Sequence, residues 1–252
     1  MRSLRAVLIG GALALVSASA MAQEAEPPAK QDWGFYGVLG TFDRAATQRG
    51  FQVYREVCAA CHGLSLVSYR ELAGIGYSEA AIKAIAASVQ VPGEPNDTGD
   101  IEDRPGRPSD RFKSPFPNAK AAAAANGGAT PPDLSLIVKG RKYGPDYVYA
   151  ILTGYRDPPS DFKLGDGMHY NAAFPGHQIA MPAPLTDDRV SYADGTKASI
   201  AQEAHDVVTF LAWAADPHLE DRHKIGFRVV LFLGIFSAMM YGVKRKIWSK
   251  VH

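Results

Sequence analysis

The sequence predicts a mainly α-helical exported domain with long loops, held by one transmembrane helix at its C-terminus. Three observations predict it. Apolar residues recur at helical spacing in several short segments, with no sustained period-two strand and no internal repeat. The N-terminus has the layout of an export signal. One long apolar run lies near the C-terminus. The chain has 252 residues, 46% hydrophobic and 21% charged, which is ordinary for a globular protein and excludes wholesale disorder.

The first segment is residues 1–22. Arg2 and Arg5 precede an apolar run from Ala6 to Ala14, and small residues end in Ala20-Met21-Ala22. This is a charged region, an apolar region and a cleavage site, which leaves Gln23 as the first mature residue. An uncleaved anchor is the alternative, but the apolar run is short for a bilayer. Residues 23–221 then form the exported domain.

Phe42 to Val57 reads as the first helix of that domain, capped by Thr41 or Asp43. Phe51, Tyr54 and Val57 recur at spacing three and make one apolar face. The helix leads into Cys58-Ala59-Ala60-Cys61-His62, which holds the only two cysteines of the chain. C-x-x-C-H is the attachment sequence of c-type haem. Two thiols three residues apart on a turn reach the two vinyl groups on one porphyrin edge. The next residue then brings its imidazole beneath the iron. The rival readings are a thioredoxin-like redox pair, which needs a preceding strand, and half of a zinc site, which has no second cysteine pair here. With one such motif the exported domain reads as a c-type cytochrome-like helical haem domain.

Ser78 starts a second short helix, with Glu79 in its first turn and Ile82 and Ile85 inward. Pro92 to Pro117 holds six prolines and many charges and reads as a long exposed loop. Ala121 to Ala125, before Asn126-Gly127-Gly128, is a small-residue stretch of open state. Asp146 to Thr153 is a further helix, stopped by Gly154.

An electron-transfer iron needs a sixth ligand, and methionine is the one that raises its potential. The exported domain offers Met168 and Met181. Pro182 and Pro184 stiffen the loop after Met181, whereas Met168 lies between Gly167 and His169 in a looser stretch. Met181 is the preferred candidate. Either methionine also fits as core filler, and His169, His177 and His205 are competing ligands. Ser199 and Gln202 form a capping box for a helix to about Ala215, with Val207, Val208, Phe210 and Leu211 on its apolar face.

Residues 222–252 form the anchor and tail. The uncharged run Val229 to Val243 is about 15 residues, and with Arg228 snorkelling the span from Ile225 is about 19, roughly 28 Å of helix. A buried core helix is the alternative. Lys244, Arg245, Lys246 and Lys250 follow, with Trp248 at interface depth. Basic residues also precede the span, so the export signal decides orientation: domain outside, basic tail in the cytoplasm. Of 27 basic and 26 acidic residues, two basic ones lie in the leader and seven in the tail, and no acidic one lies in either. The exported domain is therefore net −8, with 18 basic and 26 acidic side chains. That sign argues against nucleic acid and suits either a basic soluble partner or solubility alone.

Several stretches together resemble one family, the cytochrome c1 family, in its bacterial form. They are Arg49-Gly-Phe-Gln-Val-Tyr-Arg-Glu-Val-Cys58, Leu66-Val-Ser-Tyr-Arg70, Ala125-Asn-Gly-Gly-Ala-Thr-Pro-Pro-Asp-Leu-Ser135, Asp146-Tyr-Val-Tyr-Ala-Ile-Leu-Thr-Gly-Tyr155 and the loop around Met181. The resemblance runs from about Trp33 to the C-terminus. It implies one haem c with thioether bonds from Cys58 and Cys61, and His62 and Met181 as axial ligands. It implies a crevice lined by Asn126, Pro131, Pro132, Arg141, Tyr147, Ile151 and Leu152, with Arg141 on a propionate. Some bacterial members carry a further cysteine pair in the head; this chain has none, so its methionine loop must be held by packing and by prolines.

The family further implies a subunit of the proton-translocating quinol:cytochrome c oxidoreductase. Its partners there are cytochrome b and a Rieske iron–sulfur protein, its electron acceptor is cytochrome c, and the complex is dimeric. The chain itself would make no bonds; whether it is an enzyme in isolation stays open. The expected location is the cell inner membrane, single-pass, with the haem domain on the periplasmic side. Acidic residues at Glu94, Asp97, Asp100, Glu102 and Asp103 are candidates for docking the carrier or simply a solvated loop. Rival functions are a stand-alone membrane-tethered electron carrier, a haem enzyme or gas sensor with an open sixth position, and a thiol oxidoreductase without haem.

Overall fold

The computed structural model describes residues 27–250; the export signal read at 1–22 lies outside the described residues. Among the described residues seven α-helices follow one another: α1 (Arg44–Glu56), α2 (Glu79–Ala87), α3 (Ala119–Ala125), α4 (Ile137–Gly140), α5 (Gly144–Thr153), α6 (Ile200–Ala215) and α7 (Leu219–Trp248). Two small antiparallel pairs join β1 (Gln90–Pro95) to β2 (Ile101–Pro105) and β3 (His169–Tyr170) to β4 (Gln178–Ile179).

Helix α1 begins where Asp43, not Thr41, accepts the backbone N–H groups of Ala45 and Ala46 at 2.9 and 3.2 Å. Its inner face is Ala46, Thr47, Gly50, Phe51, Val53 and Tyr54, spaced as one side of a helix demands. That face lies on α6. Phe51 and Tyr54 meet Phe210 at ring separations of 5.5 and 5.6 Å, and Phe112 completes the cluster against Tyr54 and Tyr69. Each of these rings contributes about 1.5–3 kcal/mol by leaving water.

The two helices touch backbone to backbone. A Cβ at Gly50 would stand 1.9 Å from the carbonyl oxygen of Asp206 and 2.8 Å from Cβ of Phe210. One residue earlier, Arg49 clamps the buried Asp206 with two hydrogen bonds, Nε to Oδ2 at 2.8 Å and Nη2 to Oδ1 at 3.0 Å, and reaches Asp194 at 2.9 Å. The hydrogen bond to Asp206 raises the Arg49 pKa further above its ordinary value. Losing one partner of such a buried pair costs roughly 3–5 kcal/mol.

Helix α6 is buried on nearly its whole circumference, not only along the expected face of Val207, Val208, Phe210 and Leu211. Helices α1, α4 and α5 surround it, so its polar residues must find partners inside. Glu203 accepts the Val190 N–H at 3.1 Å, and Thr209 donates back to the His205 carbonyl. The expected capping box is only half formed. Ser199 accepts the Gln202 N–H at 3.3 Å, but the Gln202 side chain donates to the buried Asp206 carboxylate at 3.0 Å, and the Ser199 N–H goes to the Lys197 carbonyl instead.

The reading of 92–117 as a plain loop needs correction. Its first half is the β1–β2 hairpin, with Gln90 opposite Pro105 and Pro95 opposite Ile101. In a two-stranded pair each strand has a free edge, so the prolines cost no ladder bond there. The turn is built by Asn96, whose side-chain oxygen accepts the N–H groups of Thr98 and Asp100, with Gly99 at φ +86°. Arg104 closes the base on Asp110 at 2.7 and 2.9 Å and holds that carboxyl down at about 2. The small-residue stretch of open state is α3, capped by Asn118 through the Ala121 N–H.

Helix α7 has 30 residues, none of them buried; Leu219, Glu220 and His223 in its first turns are half-buried and the helix is exposed from Lys224 onward. It is about 45 Å long, so an apolar centre can cross the roughly 30 Å hydrocarbon layer with turns to spare at both ends. It is long and apolar enough to span a membrane. Its first turns are locked to the head. Asp216 accepts Arg222 at 2.6 and 2.7 Å and Lys139 of α4 at 2.9 Å.

Gly50→Ala pushes α1 off α6. Overpacking of this kind costs about 1–3 kcal/mol, so calorimetry should show a melting temperature lower by roughly 2–10 °C. An unchanged transition would mean the two helices separate freely.

Candidate functional site

Helix α1 ends at Glu56, and the next residues make a single 3-10 turn over Cys58–Ala60. The N–H groups of Cys61 and His62 both donate to the Cys58 carbonyl, at 3.1 and 2.9 Å. This bend gathers Cys58, Cys61 and His62 at the end of α1. Both thiols are free; Cys58 packs partly into the core and Cys61 is exposed. Burial, then the neighbouring Cys61, push the Cys58 thiol up to about 12. The phenol of Tyr54, fixed in the core, donates to the His62 carbonyl at 3.2 Å. The α1–α6 packing thus reaches the histidine through one hydrogen bond. A helix, not a strand, precedes the motif, against the thioredoxin-like reading. Among the described residues no cluster of three or more His, Cys, Asp or Glu is grouped to hold a metal ion.

The His62 ring is aimed by the loop after α3. Nδ1 lies 2.7 Å from the Pro132 carbonyl oxygen. Only an N–H can satisfy a carbonyl, so the proton sits on Nδ1 and the Nε2 lone pair is left for a ligand. Burial lowers the His62 pKa, against the opposing pull of Pro132 and Asp133. Neutral imidazole is the form that binds a metal.

Pro132 is itself held by the next residues. Asp133 accepts the N–H groups of Ser65 and Ser135 at 2.9 Å each, Ser135 accepts that of Leu66 at 3.0 Å, and Leu134 donates to the Gly63 carbonyl. Burial works to raise the Asp133 pKa, but its hydrogen bonds to Ser65 and Ser135 outweigh it and leave the carboxyl below its ordinary value. A Cβ at Gly63 would come 3.0 Å from the Asp133 carboxylate. Sequence reasoning did not single out Asp133 and Ser135 as functional. Asp-Leu-Ser is a local turn signature, and that signal was available.

Met181 is half-buried and follows β4 after one intervening residue. Its loop is held by more than packing and prolines. The β3–β4 pair sets His169 opposite Ile179 and Tyr170 opposite Gln178. The Tyr155 hydroxyl donates to the Met181 carbonyl at 2.9 Å. The buried Asn171 ties this region to α5 by donating to the Ile151 carbonyl at 2.8 Å. That approach explains Gly154, which ends α5 as expected but without a left-handed turn. Its φ is −89°, and a Cβ there would stand 2.8 Å from the Asn171 side-chain oxygen. Met168 lines a separate cleft of about 550 Å³ with Tyr155, Arg156, Tyr170 and Ala183.

The other candidates fall as follows. Tyr147, Ile151 and Leu152 share α5, with Ile151 buried and the others half-buried. Pro131 is half-buried beside Pro132. Asn126 ends α3 and donates to the Ala122 carbonyl at 2.7 Å. Arg141 is exposed after α4, close enough to Tyr147 to offset part of the rise that burial gives its phenol. The rival histidines have structural partners: His205 stacks on Trp33 at 4.8 Å, His177 stacks on Tyr170 at 5.8 Å, and His169 lies in β3.

A family model, Cytochrome C1 family, matches residues 33–251. The chain belongs to the cytochrome c1 family. It is 45% identical to cytochrome c1 of Rhodospirillum rubrum, with 98% of this chain and 97% of that protein covered. It is 48% identical to a mitochondrial cytochrome c1 haem protein of Arabidopsis thaliana, covering 97% of this chain and 81% of the relative. It is also 48% identical to the cytochrome b/c1 protein of Bradyrhizobium diazoefficiens; there 98% of this chain aligns with 39% of a longer protein. The cytochrome c1 family is the haem subunit of the bc1 complex, so membership implies haem, electron transfer and a place in a larger membrane assembly.

Asp133→Asn removes one of the two acceptors that pin the Pro132 carbonyl. The loss of a charge-assisted hydrogen bond should cost about 1 kcal/mol at this partly exposed site. The native carboxylate has a lowered folded pKa, so its contribution is complete above the ordinary value and disappears as pH falls through the folded one. Thermal melts of the variant and the parent should therefore differ from pH 7 down to pH 4 and converge only at lower pH, as the carboxyl is protonated in the folded state. A pH-independent gap would assign the effect to shape alone.

Proposed function

We propose that this chain carries one haem c, bound covalently through Cys58 and Cys61, with His62 and Met181 as axial ligands. The observation that carries the reading is the His62 ring. Its Nδ1 is committed to Pro132 at 2.7 Å, which leaves Nε2 as a donor beside two free thiols on the same turn. Two thiols, an imidazole nitrogen and a thioether are the donor set that a c-type haem takes. The iron of such a haem supplies one-electron chemistry at a potential raised by the thioether.

The residues of this chain then do the positioning. Pro132 and Asp133 orient His62. Tyr155, Asn171 and the β3–β4 pair hold the methionine loop. Pro131, Tyr147, Ile151 and Leu152 offer apolar surface that keeps water from the crevice, with Asn126 at its edge. Arg141 is an unburied cation suited to a propionate, because a guanidinium pairs well with a carboxylate.

In this reading residues 1–22 are a cleaved signal, 23–221 the haem domain on the periplasmic side of the inner membrane, and 222–252 the anchor with a cytoplasmic tail. The chain takes electrons from a Rieske iron–sulfur protein and passes them to cytochrome c, beside cytochrome b in a dimeric quinol-oxidising complex. The net charge of −8 over residues 23–221, from 18 basic and 26 acidic side chains, supports a basic soluble acceptor.

Two measurements test it. Mild detergent purification followed by a reduced-minus-oxidised spectrum should give c-type and b-type bands together, both reducible by quinol. A c-type band with no partner chain would point to an independent tethered carrier, and no haem band would overturn the reading. Met181→Ala should lower the reduction potential and admit carbon monoxide. If neither changes, Met181 is not the axial ligand.

A further inference from the structure

The two most exposed large apolar side chains among the described residues are not in the span. They are Val38 and Leu39, 84% and 87% exposed, against 70% for Val230, the most exposed in α7. They stand at the tip of a built turn. Thr41 N–H donates to the Gly34 carbonyl at 3.0 Å and Gly40 N–H to that of Gly37 at 3.2 Å, with Gly37 at φ +82°. At Gly40 a Cβ would fall 2.3 Å from the Phe35 carbonyl oxygen, so the turn is closed as tightly as backbone allows. Buried Phe35 and Phe42 pack together beneath it at 5.3 Å. A stiff turn that thrusts Val-Leu outward needs something apolar to cover them.

The turn is fastened to the start of α7, and the fastening has a direction. Arg44 pairs with Glu220 at 2.7 Å and the Phe42 N–H donates to the same carboxylate at 3.0 Å. Gly40 comes next, its carbonyl 3.3 Å from Nδ1 of His223. Stepping back along the chain from Phe42 to Gly40 therefore advances along α7 toward its apolar span. Leu39 and Val38 precede Gly40 in the chain, at the tip of the same turn. On a helix rising 1.5 Å per residue, His223 lies only about 3 Å and Glu220 about 7.5 Å before Ile225. The headgroup layer of one leaflet is about 6 Å deep. At this level Arg222 is tied to Asp216 and Lys224 lies beside Asp221, while Arg228, one turn further on, offers its charge to a lipid phosphate.

We infer that the 36–39 turn, tipped by Val38 and Leu39, is a second membrane contact that inserts into the outer headgroup layer beside α7. The inference rests on α7 spanning the bilayer. Its ligand is the lipid interface rather than another protein, because the residues that fasten it, Glu220 and His223, lie within two helical turns of the apolar span.

The test uses the full haem-loaded chain in lipid nanodiscs. Single cysteines replace Leu39, Val230 in the span and Thr98 at the hairpin tip, and each carries a spin label. Accessibility to oxygen and to a water-soluble nickel chelate is then compared. The Leu39 label should be several-fold less accessible to nickel than the Thr98 label, and intermediate in oxygen between Thr98 and Val230. Equal nickel access at Leu39 and Thr98 would overturn the inference. Shielding from both reagents, only in the presence of other subunits, would also overturn it and assign the turn to a protein contact. A Val230 label open to nickel would instead fault the spanning helix itself. If Leu39→Cys does not mature, Leu39→Trp in brominated lipid gives the same comparison through quenching, with no added quenching as the overturning result.

Discussion

The backbone contact between α1 and α6 at Gly50 is the constraint on which the head depends. Two helices that meet at this distance admit no side chain between them, and the Arg49–Asp206 clamp beside Gly50 removes any freedom to slide. Cys58, Cys61 and His62 all hang from the far end of α1. The C-x-x-C-H bend begins one residue after that helix, and Tyr54 carries the register of the core directly to His62. Helix α6 must in turn bury Glu203, Asp206 and Thr209 in order to sit at the centre, and each finds its partner in a neighbouring segment or in its own preceding turn.

What the sequence made legible follows from locality. The helix before the motif, the Ser78 start, the Asp146–Thr153 helix and the apolar anchor are all local patterns, and all are present. The family was legible because its landmarks are contiguous stretches. The β1–β2 hairpin was missed because prolines at 92, 95 and 105 argue against a strand, and only a free edge on each side makes them tolerable. The half-formed capping box was overread for a tertiary reason. Gln202 had a buried carboxylate within reach, which no local window shows.

The candidate site divides in the same way. Cys58, Cys61 and His62 are consecutive and announce themselves. The elements that aim them come from afar: Pro132 lies seventy residues from His62, and Tyr155 lies twenty-six from Met181. Long-range hydrogen bonds to backbone carbonyls leave no periodicity behind, so Tyr155 and Asn171 had no sequence signal. Asp133 did have one, the turn with Ser135. Its importance lies in where that turn is placed, not in the turn itself.

Asp216 draws the last consequence. One carboxylate grips Arg222 of α7 and Lys139 of α4 across the only break between α6 and α7. The head is therefore a bracket bolted to its post, not a float on a tether. In the proposed membrane arrangement, the altitude of the His62 motif above the bilayer is then a fixed dimension of the molecule, like the height of a shelf. Any carrier that trades electrons with this chain must do the travelling itself.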